Sequence, residues 1–84
     1  MELKTEYQYI RFVQTAMLPK TSVWSCRNIH HGEELGVIRW YPAWRQYCYT
    51  SIAQVVYSKG CLSDIQEFLQ ALAEQRSQQS TRTK

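Results

Sequence analysis

Eighty-four residues, 44% of them hydrophobic and 13% aromatic, make one small domain with room for a single modest core. A net charge of +3 marks neither a polyanion nor a strongly basic nucleic-acid binder, and no apolar run approaches a membrane span, so the chain is expected in the cytoplasm without membrane contact. Cys26, Cys48 and Cys61 include no close pair, which fits a reducing compartment and argues against a disulfide framework.

Residues 1 to 6 are polar and expected to fray. Tyr7 to Thr15 mixes aromatic and β-branched residues with polar ones and predicts a strand. A helix through Ile10, Val13 and Met17 is the competing reading. Ala16 to Lys20 reads as a connection, because Pro19 cannot continue either element. Thr21 to Ile29 predicts a second strand with Trp24 and Cys26 on one side and Val23, Arg27 and Ile29 on the other. His30-His31-Gly32-Glu33-Glu34 is a turn, with Gly32 available for a positive φ.

Leu35 to Tyr49 is the segment around which the chain is organised. Its fifteen residues hold two Trp, three Tyr and two Arg. It reads as a hairpin turning at Tyr41-Pro42-Ala43-Trp44, since Pro presets φ for the second position of a β-turn. A turn centred on Pro42-Ala43 pairs Tyr41 with Trp44, Trp40 with Arg45 and Ile38 with Tyr47. One face then carries Ile38, Trp40, Arg45, Tyr47 and Tyr49, and the other Val37, Arg39, Tyr41, Trp44, Gln46 and Cys48. The first is the more apolar and is expected to face the core, with Arg45 lying across Trp40 as a cation–π pair.

Thr50 to Gln54 is a loop, and Val55 to Tyr57 a short fifth strand or an extended connector. From about Cys61 to Arg76, Leu62, Ile65, Phe68, Leu69 and Leu72 recur at helical spacing and predict a helix with one apolar stripe. Asp64 is expected in its first turn and Arg76 in its last. Residues 77–84 have no apolar side chain and are expected to be a disordered polar tail. There is no internal repeat. The fold expected is therefore α+β: residues 1–76 as one domain, a four-stranded antiparallel meander with one C-terminal helix packed on one face.

Residue chemistry points away from catalysis. Cys26 with His30 and His31 lacks a second ligand pair at zinc spacing, so neither a metal nor a cofactor is expected. Cys48 and Cys61 sit among apolar neighbours, Glu33 and Glu34 are adjacent in a turn, and no nucleophile elbow or phosphate loop is present. What remains is charge distribution. No acid lies between Glu6 and Glu33 or between Glu34 and Asp64, whereas those stretches hold Arg11, Lys20, Arg27, Arg39, Arg45 and Lys59. Arginine interleaved with aromatic residues suits an anionic partner: the guanidinium fork grips phosphate or carboxylate and a ring stacks a base. Arg39, Tyr41, Trp44 and Arg45 are the candidate ligand-binding residues, with Arg39 assigned to the ligand and Arg45 to structure.

Thr21-x-Val23-Trp24, the segment Leu35 to Tyr49, and Cys61-Leu-Ser-Asp-Ile-Gln-Glu-Phe68 together resemble a family of small uncharacterised proteins of bacteriophages and prophages. Its pattern is roughly L-G-x-I-[KR]-W-[YF]-x-x-W-R-x-Y-x-F followed by C-L-x-x-I-x-x-F, and the resemblance covers residues 21–70. Tyr49 stands where Phe is usual, and Ser51 where Pro often follows. The resemblance supplies no established activity. It implies an origin in phage or mobile-element DNA, where small non-enzymatic proteins often counter host defence. Two function classes follow: a module that captures a nucleotide-type anion, and a protein–protein inhibitor of a host complex, of the anti-CRISPR kind. Nucleic-acid binding is a third, weakened by the near balance of eight basic and seven acidic residues over 1–76. Because one helix covers one sheet face, the other is expected to support a homodimer.

Overall fold

Four strands in chain order form one antiparallel sheet, β1 (Ile10–Met17), β2 (Ser22–Asn28), β3 (Glu34–Tyr41) and β4 (Gln46–Ser51), and α1 (Lys59–Arg82) closes one of its faces. The computed structural model describes residues 3–52 and 54–82, with side chains through 77. The α+β meander expected from the sequence is the fold observed. Val55 to Tyr57 is extended connector and not a fifth strand.

The covered face gathers the aromatic residues. Phe68 of α1 is fully buried and stacks on Phe12 of β1 with centroids 4.0 Å apart and rings 5° from parallel. Trp24 meets the same ring edge-on at 5.1 Å and Tyr7 at 6.4 Å. Ile10, Cys26, Leu35, Ile38, Ile65 and Leu72 complete this core. Its helical line runs through Ile65, Phe68 and Leu72, with Cys61 and Leu69 partly buried against it. Leu62, expected in the stripe, lies on the flank of that line and is 54% exposed.

Local chemistry explains most element boundaries. Ser58 Oγ accepts the Cys61 amide and caps α1, so the helix begins at Lys59 and Asp64 falls beyond its first turn. There Asp64 accepts the Tyr9 amide and ties the helix to the start of β1. At the far end α1 passes the expected stop at Arg76 and continues to Arg82, taking in residues 77–82 that were expected as disordered tail; no Gly or Pro lies in that stretch to end it. Residues 83 and 84 of that expected tail lie outside the described residues. Thr5 and Glu6, expected to fray, run along β1: Thr5 O accepts from the Phe12 amide, and Glu6 bridges Arg11. β1 itself continues through Ala16 to Met17, past an irregularity between Gln14 and Ala16.

Gly32 takes a positive φ of 79° in the turn before β3, where Asn28 Oδ1 also accepts the amides of His30 and His31. Gly36 serves packing instead. A Cβ there would overlap the hydroxyl end of Tyr49 and the Thr50 carbonyl, so only glycine admits that ring beside β3. The Tyr49 hydroxyl is hydrogen-bonded to Tyr57, which also donates to the Leu35 carbonyl at 3.2 Å and fastens the connector to the sheet. Burial raises the Tyr49 phenol far above its ordinary value and pushes the Cys26 thiol up to about 11.

Candidate functional site

The β3–β4 hairpin differs from its expected form at the turn. Pro42 to Arg45 make a four-residue loop, so Tyr41 faces Gln46, Trp40 faces Tyr47 and Ile38 faces Tyr49. The pairing is displaced by two residues from the expected one. A displacement of two preserves the alternation, so the face assignments within the strands stand. Arg45 is the exception. It leaves the sheet and closes the loop in the left-handed region, φ 56°, with its amide bonded to the Tyr41 carbonyl at 2.9 Å.

The cation over Trp40 is therefore not Arg45. Arg76 of α1 places its guanidinium carbon 4.0 Å from the Trp40 ring and donates to the Lys20 carbonyl at 2.8 Å. Trp40 also meets Tyr47 edge-on at 5.4 Å. This structural role was missed because Trp40 and Arg76 are far apart in the chain and share no local pattern.

On the uncovered face the structure brings three of the four candidates together. Arg39 and Tyr41 stand two residues apart on β3 and point the same way. Tyr41 lies edge-on to Trp44 at 4.9 Å and 67°, and Trp44 is 67% exposed at the loop. Arg45 is exposed in the same loop, but its left-handed backbone separates it from the strand face. On the other side of Arg39 is a shallow depression of about 260 Å³ lined by Val37, Thr50, Ser51 and Ile52. Cys48, expected among apolar neighbours, is half-buried directly opposite Arg39 on this face.

Strand pairing redistributes the charge that looked uniform in the sequence. Arg11 faces Arg27 across β1 and β2, Glu6 bridges Arg11, and Glu34 faces Arg27. Two carboxylates thus share a row with two of the arginines. Arg39, whose partner is Cys48, has no carboxylate in its pairing, and among the described residues its guanidinium has no hydrogen-bond or ion-pair partner.

Cys26 is in the core, whereas His30 and His31 are exposed in a turn, so these three do not converge. Among the described residues no His, Cys, Asp or Glu cluster could hold a metal, and no helix is long and apolar enough to cross a membrane. The site offers a free guanidinium, two rings and hydroxyls, which can bind and orient an anion. No protein-family model, curated protein or solved structure matches this chain.

Proposed function

We propose that this chain is a non-enzymatic accessory protein of phage or mobile-element DNA. It acts in the host cytoplasm by binding a nucleotide-type anion through the β3–β4 hairpin, as a counter to host defence. The observation that supports this reading is the placement of Arg39. It is a strand arginine with no carboxylate in its pairing, set beside an exposed Tyr41–Trp44 pair. In this arrangement Arg39 takes phosphate and the rings stack a base, while Arg45 adds a second positive charge at the tip.

The second reading, an inhibitor that docks on a host protein, is favoured by Trp44 standing 67% exposed on a protruding loop, as an interface anchor does. Self-association through the same open face belongs to either reading.

Thermal unfolding with added ADP separates these readings. A bound nucleotide raises the parent's melting temperature by mass action. Arg39→Ala is expected to diminish that rise while its own melting temperature stays within a few degrees of the parent. A flat response to ADP, together with a host protein captured by the parent and lost in Trp44→Ala, would replace the first reading with the second. Sedimentation of both proteins at high concentration checks the dimer.

A further inference from the structure

A cleft of about 350 Å³ lies on the helix-covered side of the sheet, where the β1–β2 loop meets the C-terminal half of α1. It is separate from the Arg39 surface and belongs to no role described above. Its floor is built by two linked hydroxyls. Trp24 Nε1 donates to Ser22 Oγ at 2.7 Å, and the Ser22 amide donates to the Tyr47 hydroxyl at 3.2 Å. Both oxygens act as acceptors in these bonds, and neither hydroxyl proton has an acceptor among the described residues. Lys20, Thr21 and Gln75 add further donors to the lining, and no carboxylate lines it.

Apart from Gln14, the rest of the wall is apolar. Leu3 and Pro19 contribute to it, together with Met17 and Leu18, which are 80% and 50% exposed. Large apolar side chains held open beside a donor-rich floor match the make-up of a small-molecule site, and the volume is at the small end of that range. The loop carrying Lys20 is fixed in two ways. Leu18 N bonds the Thr21 carbonyl at 2.8 Å, and Arg76 donates to the Lys20 carbonyl while staying stacked on Trp40. Arg76 thus holds the cleft's edge in place and leaves a second positive charge beside it.

We propose that this cleft binds a small organic anion: a phosphate or carboxylate head taken by Lys20 and the Ser22 and Tyr47 hydroxyls, with an apolar body against Met17 and Leu18. Charge and donor count select the head, since a cation would meet Lys20 and a neutral apolar molecule would leave the donors unpaired. The proposal does not rest on the hairpin reading.

The test is a nuclear magnetic resonance titration of the full chain with adenosine monophosphate and, separately, indole acetate, with adenosine as the uncharged control. The Trp24 indole N–H and the Thr21 and Ser22 amides are expected to shift saturably with at least one anion and not with adenosine. The tighter anion identifies the head group. Lys20→Gln and Tyr47→Phe should each weaken the binding read at the Thr21 and Ser22 amides by at least about tenfold. No saturable shift at these amides with either anion overturns the proposal, as do shifts that persist in both cleft variants. Shifts confined to Arg39, Tyr41 and Trp44 overturn it while supporting the hairpin site.

Discussion

The two faces of the sheet are made from the same strands and differ in almost every physical respect. Beneath α1, Phe12, Trp24, Ile38 and Phe68 interlock, and their polar neighbours are hydrogen-bonded inside the fold. On the open side, Val13, Tyr41, Trp44 and Ile52 stand in water, and Arg39 has no partner among the described residues. Alternation along each strand forces this division, because neighbouring residues cannot share a face. The covered side holds the stability, and the open side is free to vary in chemistry without unfolding the chain. Aromatic residues on both sides therefore do different work, and only position distinguishes Trp24 from Trp44.

The comparison breaks most visibly at Phe68. Phe68→Ala should cost about 3–5 kcal/mol, which is most of the stability of a small domain, and chemical denaturation of the variant measures it. A variant that unfolds near the parent's midpoint would mean that the ring is not the centre of the core.

A smaller effect comes from titrating the covered side. The Cys26 thiol is held protonated to about 11 against an ordinary value of 9.0. The unfolded chain therefore releases that proton first as pH rises. Stability should be complete below about 9 and fall as pH climbs toward 11, with the raised phenols of Tyr7 and Tyr49 acting in the same direction. Urea midpoints across that interval should decline in the parent and decline less steeply in Cys26→Ala. A parent midpoint that stays level would show that the thiol titrates in the fold as it does in the open chain.

The smallest effect belongs to the open face. Trp44→Ala should change stability by no more than about 0.5 kcal/mol, despite removing the largest side chain of the loop. A loss comparable to that at Phe68 would erase the distinction between the faces.

Local patterns carried much of this into the sequence. The recurrence of Ile65, Phe68 and Leu72 marked the helix, and the alternation around Trp24 and Cys26 marked the buried side of β2. Ile38 and Trp40 could be placed on the core face even with the wrong pairing, because an error of two residues leaves alternation intact. The turn itself was harder to read. Pro42 signals a turn but not its length, and nothing about Arg45 announces a left-handed residue where Gly or Asn is usual. The polar end of α1 has no periodicity to detect. Long-range pairing was the least accessible: Arg76 over Trp40 is a product of the fold. The absence of carboxylates near Arg39 in the chain matches its strand partner, Cys48, while the Glu34 carboxylate accepts from Ser25.

Asp64 bonds an amide 55 residues before it, and Arg76 a carbonyl 56 residues before it. Both halves of the helix are thus fastened to the first hairpin, which is made before the helix. The strands are all present once Ser51 has emerged, yet Phe12 and Trp24 have no lid until Phe68 follows. Between the emergence of Ser51 and that of Phe68 an elongating chain carries a bare aromatic surface, and its native packing closes only once the helix has followed.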